Sequence, residues 1–256
     1  MIFSLSVFVV TTFLAQGVPP QTANGLRRST ELTFPKEPAK ALSPEVRGDI
    51  LMARKMYREA VDMYKQSPQD SAIIANKTGI AHHQLLELEQ AKKYYERAIK
   101  LNPQYPEAIN NLGTIYYSHH SYRRAIGQYK KALRITPESA SILSNLGTAY
   151  FGRKNYDEAF KAYQEALGLD PEVFEHHNTH GVLLQERSVE EKAKFHYYLA
   201  KTYAKAGNQD RAILYIRKAL EEGFKERERF QKEPEFASLR DNVEFKQLLA
   251  QEIKVL

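Results

Sequence analysis

Small and hydrophobic residues recur along this chain with helical spacing, and between residues 106 and 171 the whole pattern occurs twice. The first copy reads PEAINNLGTIYYSHHSYRRAIGQYKKALRITP, and 34 residues later the same arrangement returns in ASILSNLGTAYFGRKNYDEAFKAYQEALGLDP. Leu112 and Tyr116 are four residues apart and therefore share one helical face, and so do Ala125 and Tyr129. The pattern predicts that each copy is a pair of helices joined by a short turn.

The small residues explain how the two helices of a pair can pack closely. Gly113 and Ala125 allow a close approach, and Tyr116 and Tyr129 fill the space beside them. Pro137 cannot continue a helix, so it ends one unit and begins the next. A single hairpin cannot bury its apolar face, so we expect neighbouring hairpins to stack on one another.

This arrangement resembles the tetratricopeptide repeat, with L-G-x2-Y, then A-x3-Y-x2-A and a proline at a period of 34 residues. The resemblance implies an all-α fold, a right-handed superhelical α-solenoid of about five stacked helical hairpins. Residues 44–67 form a degenerate first unit, residues 72–103 form the second, and residues 189–224 form the fifth.

The segments that flank the repeats differ from them in composition. Residues 1–17 are interpreted as a secretory signal peptide, because a short apolar run ends in Ala15-Gln16-Gly17. The alternative is a misannotated start, and the run is too short for a stable membrane span. Residues 18–43 contain four prolines and no helical period, so they are predicted to be a disordered linker.

The C-terminal half departs from the regular period. Repeats 1–4 occupy residues 44–188 with an insert at 172–188, after which Ser188 and Glu191 have the spacing of a helix-capping box. Residues 225–256 carry several apolar residues and are expected to fold over the last repeat as a helical C-terminal cap. The segment from about residue 189 to 253 also resembles the end-of-group segment that closes some bacterial tetratricopeptide repeat proteins.

Charge and composition exclude several classes of function. The chain has 37 basic and 31 acidic residues, a net charge of +6, and the charges are interleaved, so no nucleic-acid partner is expected. It has no cysteine, which excludes disulfides and thiolate metal sites. His176 and His180 would share a face of a helix, a spacing compatible with a metal ion, but exposed polar residues are the favoured interpretation. No catalytic motif is evident, so we expect neither an enzyme nor a cofactor.

The family resemblance also implies a binding surface. The first helix of each hairpin in this family lines a concave groove, and the residues around the Leu-Gly pair project into it. The candidate partner-binding residues are Asn76, Lys77, Asn110, Asn111, Thr114, Tyr117, Ser144, Asn145, Thr148, Phe151, Tyr198 and Lys201. An asparagine amide both donates and accepts hydrogen bonds, so a ladder of such amides could hold a peptide backbone. The alternative is that these amides bond to a neighbouring turn.

The two lysines of this set lie near the two ends of the groove and would favour an acidic ligand. The function expected from the resemblance is a noncatalytic scaffold that binds a protein or an extended peptide. The expected location is the bacterial cell envelope, secreted or periplasmic. Two alternatives remain open, a self-associating structural spacer and a His-based metal protein or hydrolase, and the oligomeric state is open as well.

Overall fold

The computed structural model describes residues 41–175 and 188–250, and all regular structure within these ranges is helical. In each of the first four hairpins the two helices pack against each other, and the second helix also packs against the first helix of the next hairpin. These helices are α1 (Pro44–Ala53), α2 (Tyr57–Lys65), α3 (Ala72–Gln84), α4 (Leu88–Leu101), α5 (Pro106–Ser118), α6 (Tyr122–Leu133), α7 (Ala140–Gly152) and α8 (Tyr156–Leu169).

A fifth hairpin and a short helical tail follow the insert. The hairpin consists of α9 (Val189–Lys205) and α10 (Gln209–Glu221), and α9 also packs against α8. The tail contains α11 (Glu228–Lys232), a 3-10 helix (Pro234–Leu239) and α12 (Val243–Ala250). The fold is therefore all-α with consecutive hairpin packing, and the predicted α-solenoid is confirmed.

Helix starts and hairpin turns follow local chemistry. The predicted capping box is present, because the Ser188 hydroxyl accepts from the Glu191 backbone N–H and the Glu191 carboxylate accepts from the Ser188 N–H. In the third and fourth turns, His120 and Lys154 adopt left-handed backbone angles with φ of 53° and 62°. The next residue then donates its N–H back into the first helix, as the Ser121 N–H does to the Tyr116 carbonyl at 2.8 Å.

A glycine of the first helix contacts a tyrosine ring of the second in each of the first four hairpins. These pairs are Gly48 with Tyr64, Gly79 with Tyr95, Gly113 with Tyr129, and Gly147 with Tyr163. A Cβ atom on any of these glycines would lie under 3.0 Å from the ring, and each ring is at most 1% exposed. In the fifth hairpin Ala200 stands at the glycine position and Ile216 at the tyrosine position, and both are fully buried. Isoleucine is smaller than tyrosine, so it leaves room for the methyl group of Ala200.

The tail covers the fifth hairpin with aromatic and aliphatic side chains. Phe230, Phe236 and Leu239 are fully buried, and the Phe230 ring lies 5.4 Å from the ring of Tyr197 in α9. The segment that begins at Pro234 is a 3-10 helix. The last helix begins at Val243, and the Asn242 side chain accepts from the Phe245 N–H at 3.2 Å.

Several predicted features lie outside the described residues. They are the signal peptide at 1–17, the linker up to residue 40, the part of the insert from 176 to 187 with His176 and His180, and the chain end from 251. Over residues 41–175 and 188–250, no helix has both the length and the apolar character needed to cross a membrane.

Candidate partner-binding groove

The first helices of the second, third and fourth hairpins lie next to one another. Helix α5 contacts α3 on one side and α7 on the other. This stacking brings together four asparagines that are distant in the sequence, and we name them the amide chain: Asn76, Asn110, Asn111 and Asn145. The arrangement follows from the repeat, because each asparagine stands two or three residues before the helical glycine position.

The four amides are joined by directed hydrogen bonds. Asn145 Nδ2 donates to Asn110 Oδ1 at 3.0 Å, and Asn110 Nδ2 donates to Asn111 Oδ1 at 3.4 Å. Asn111 Nδ2 donates to Asn76 Oδ1 at 3.1 Å, and Asn76 Nδ2 donates to the Tyr105 hydroxyl at 3.3 Å. The amide chain thus crosses three hairpins and links their first helices.

This geometry revises both sequence-based interpretations of the asparagines. Asn111 and Asn145, 34 residues apart, connect through Asn110, since the bonds between helices join residues 35 apart. Neither amide bonds to a neighbouring turn in these contacts. An amide has two N–H donors and an oxygen with two lone pairs, and these four bonds use at most one donor and one lone pair of each. The amide chain therefore fixes the orientation of the four side chains without using all of their hydrogen-bond donors and acceptors.

A pocket of about 490 Å³ opens beside the amide chain, which is within the usual range for ligand pockets. Asn76, Asn110 and Asn111 line it together with Ile80, Pro106, Glu107, Thr136, Glu138, Ser139, Ser141 and Ile142. Sequence reasoning missed the two glutamates. Glu107 lies in the first turn of α5, and Glu138 lies between α6 and α7, where repeat spacing alone does not place a side chain.

The candidates on α7 are buried, in contrast to the expected open groove lining. Ser144, Asn145, Thr148 and Phe151 are 1–4% exposed. The Thr148 hydroxyl donates to the Ser144 carbonyl at 2.9 Å and accepts from the Tyr163 hydroxyl at 3.3 Å. The sequence did not show what packs against these residues, and their part in binding stays a prediction.

The aromatic candidates pack against other rings. Phe151 lies edge-on to Phe195 of α9 at 5.5 Å, and Tyr198 stacks on Tyr156 at 5.2 Å. Tyr117 is 7% exposed, and its ring lies 5.3 Å from that of Tyr122. These side chains therefore contribute to the core between hairpins, and their part in binding stays a prediction.

Thr114 is half-buried and also bonds within its own hairpin. Its hydroxyl donates to the Asn110 carbonyl and accepts from the Tyr129 hydroxyl, each at 3.3 Å. The side chain thus supports the turn of α5 that carries Asn110. Its contribution to the groove is to hold that turn against α6.

The two lysines are already paired with carboxylates. Lys77 Nζ lies 2.8 Å from Glu45 and 2.7 Å from Asp49 of α1. Burial acts to lower the pKa of Lys77, but the bonds to Asp49 and Glu45 outweigh it and raise the pKa. The expectation of an acidic ligand at this lysine loses its physical basis, because the ammonium group is neutralised within the protein.

Lys201 is held in the same way beneath the C-terminal tail. Its ammonium group lies 2.9 Å from Glu233 and 3.4 Å from Glu235, and its side chain is 15% exposed. It also stands over the Phe160 ring at 4.8 Å. Lys201 therefore joins the tail to α9, and it does not present a free cation at the end of the groove.

The histidine alternative concerns residues that the structure does not describe. Within the described ranges, no group of three or more His, Asp or Glu side chains is arranged to hold a metal ion. His176 and His180 lie in the segment 176–187, so a metal site there stays a prediction.

Comparison with known proteins places the hairpins in a family. Models described as tetratricopeptide repeats match residues 110–173 and 193–222, and one described as a TPR repeat matches residues 79–120. "Photosystem I assembly protein Ycf3" from Rippkaea orientalis (strain PCC 8801 / RF-1) is 33% identical over 76 residues, covering 30% of this chain. The match spans 43% of that relative, less than half its length.

Solved structures are similar to this chain. "MamA 41-end from Desulfovibrio magneticus RS-1" is 20% identical, with a TM-score of 0.50 over 74% of this chain and 96% of that one. A "Crystal structure of MamA protein" is 27% identical, with a TM-score of 0.46 over 52% of this chain and 75% of that one. At this level the likeness concerns the fold alone.

Stacked hairpins with a 34-residue period and a groove of first helices define the class of helical repeat scaffolds. Within that class, the chain is a tetratricopeptide repeat protein. Proteins of this family bind other proteins. The source of the matched relative fits the expected bacterial origin.

Proposed function

We propose that the protein is a noncatalytic scaffold that holds an extended segment of a partner protein in the groove formed by α3, α5 and α7. The observation that carries this proposal is the amide chain beside a pocket of about 490 Å³. An extended segment loses water from its backbone N–H and C=O groups on entering a groove, and each unpaired group then costs roughly 1–3 kcal/mol. The unused donors and lone pairs of the amides can satisfy those groups.

The amide chain also lowers the cost of binding. Its bonds fix the Asn76, Asn110 and Asn111 side chains before a ligand arrives, so less rotational freedom is lost on association. Because amides pair with backbone groups, affinity depends more on the backbone than on the ligand's side chains. A dissociation constant in the micromolar range, about −8 kcal/mol, is expected for such contacts.

The test uses fluorescein-labelled decapeptides with degenerate uncharged residues, and binding is measured by fluorescence polarisation. Asn110→Ala with Asn111→Ala should weaken binding about tenfold, the order expected for the loss of one or two hydrogen bonds. Gln128→Ala on α6 is the matched control, since it removes an amide from a second helix. Equal binding by the groove variant and the wild type, with both melting alike, would contradict the proposal.

We also propose that the protein acts in the bacterial cell envelope. The support is the apolar run followed by Ala15-Gln16-Gly17, the residue types that a signal peptidase reads. N-terminal sequencing of the protein from the periplasmic or secreted fraction should begin near Val18. An intact Met1 on protein that accumulates in the cytoplasmic fraction would refute this location.

Self-association is a second candidate, favoured by one feature of α1. Val46 and Ile50 lie four residues apart on α1 and are 42% and 37% exposed, and Leu42, just before the helix, is 54% exposed, so the first hairpin has apolar side chains open to solvent. If these side chains join two copies, sedimentation velocity should show a dimer that Val46→Glu with Ile50→Glu converts to a monomer. A wild-type protein that is monomeric at high micromolar concentration removes this candidate.

A further inference from the structure

The pocket beside the amide chain is acidic, whereas the protein as a whole is basic. Glu107 and Glu138 both line it and both are exposed, and none of the described lining residues is Lys or Arg. Neither glutamate takes part in an ion pair among the described residues. The whole protein carries a net charge of +6, so two unpaired carboxylates in one pocket stand out against a basic background.

The neighbouring surface of α1 and α3 adds to this negative charge. Lys77 is the ammonium group there, and it faces the two carboxylates of Glu45 and Asp49. The two carboxylates together carry one more negative charge than Lys77 neutralises. Lys77 therefore offers no free cation to oppose Glu107 and Glu138.

The remaining lining of the pocket fits a long cationic side chain. Ile142 is 5% exposed and Ile80 is half-buried, so they offer apolar surface to an aliphatic stem. Asn76 is 4% exposed, and its Oδ1 and those of Asn110 and Asn111 each accept only one of the amide-chain bonds. Ammonium and guanidinium groups are pure donors, so they match carboxylates and amide oxygens.

We propose that this pocket takes a Lys or Arg side chain of the bound segment, which makes the groove selective for basic peptides. The proposal rests on the groove binding proposed above, and it adds the class of ligand. It also reverses the expectation from sequence, which assigned an acidic ligand on the basis of Lys77 and Lys201. The cation's stem lies against Ile80 and Ile142, and its charged end lies between Glu107 and Glu138.

The experiment compares three pools of fluorescein-labelled decapeptides by fluorescence polarisation. The pools share degenerate uncharged residues and differ only at two fixed central positions, which are Arg, Gln or Glu. The Arg pool should bind about fivefold more tightly than the Gln pool at 50 mM salt, since each exposed ion pair contributes modestly, and the Glu pool should bind most weakly. The preference should shrink at 0.5 M salt because the charges are screened.

Substitutions assign the preference to the pocket. Glu107→Gln with Glu138→Gln should reduce the ratio of the affinities for the Arg and Gln pools to about one, because the pocket then has no carboxylate to pair with the cation. The control is Glu96→Gln with Glu165→Gln, which makes the same change in net charge at exposed positions of α4 and α8. It should leave the preference intact.

Three other outcomes would overturn the cation proposal, and one of them would also overturn the groove proposal. If the wild type binds the Arg and Gln pools equally, and the Asn110→Ala with Asn111→Ala variant loses both, then the cation proposal fails and the groove proposal stands. If the preference for Arg survives the Glu107→Gln with Glu138→Gln variant, the pocket is not its source and the proposal fails. If no pool binds the wild type measurably, both proposals are overturned.

Discussion

The contact between Gly113 and Tyr129 gives the sharpest test of how the hairpins are held together. A Cβ atom on Gly113 would lie 2.7 Å from Tyr129 Cε1 and 2.9 Å from Cδ1. Ordinary carbon contacts are about 3.5–4.0 Å, so the methyl group of Gly113→Ala overlaps the ring by about 0.8 Å. The ring is 1% exposed and its hydroxyl donates to Thr114, so it cannot move aside freely.

The matched control is Gly127→Ala in α6 of the same hairpin. Gly127 is exposed, and a Cβ atom there would meet no other atom within 4 Å. Alanine is favoured over glycine inside a helix by about 1 kcal/mol, and both variants gain this amount. Only Gly113→Ala also pays for overpacking, about 1–3 kcal/mol. We therefore expect the control to be more stable than the wild type and Gly113→Ala to be about 1–3 kcal/mol less stable than the control.

The free energy of unfolding is measured by urea denaturation followed by far-ultraviolet circular dichroism, with thermal melts in parallel. A difference of 1 kcal/mol corresponds to about 2–4 °C in melting temperature for a chain of this size. Repeat proteins can unfold in parts, but both substitutions lie in one hairpin and report on the same part. If Gly113→Ala is as stable as Gly127→Ala, the close contact between helix and ring is not a packing constraint, and the reasoning fails.

Two further predictions concern the tail. Deleting residues 230–256 should expose Tyr197, which is fully buried, and the truncated protein should aggregate, as measured by light scattering. A truncated protein that stays monomeric with an unchanged melting temperature would show that the fifth hairpin does not need the tail. Burial acts to raise the pKa of Glu233, but the nearby Tyr197 hydroxyl and the Lys201 and Arg229 cations outweigh it and lower the pKa below 4.5. The stabilising contribution of the Glu233 carboxylate is therefore complete above about pH 4.5 and is lost as the pH falls through the lowered pKa. The melting temperatures of the wild type and Glu233→Gln should converge below the lowered pKa. A difference in melting temperature that stays constant with pH would contradict the assignment.

The fold was predictable because its determinants are close in the sequence. Gly113 and Tyr129 are 16 residues apart in one hairpin, and the short turn of that hairpin brings them into contact independently of the other repeats. The capping box of Ser188 and Glu191 spans three residues, and it too was read correctly. The substitution of Ile216 for the repeated tyrosine was visible in the sequence, although its match with Ala200 became clear only from the packing.

The candidate site was only partly predictable. The repeat placed Asn76, Asn110, Asn111 and Asn145 on neighbouring first helices, as the structure shows. It did not reveal that the amides bond to one another, because that depends on the offset between adjacent helices. A step of 35 residues pairs Asn145 with Asn110, whereas the repeat step of 34 residues would have paired it with Asn111.

The surroundings of the charged side chains depend on the tertiary structure more than any other property does. The sequence by itself determined the period, the hairpins and the face of each first helix, because these follow from the preferences of short segments and from the position of glycine and proline. It could not determine that Lys201 is neutralised by Glu233 or that Glu138 lines the same pocket as Glu107. The effect of a charged side chain depends on which groups surround it, and those groups come from distant parts of the chain that meet only when the hairpins stack.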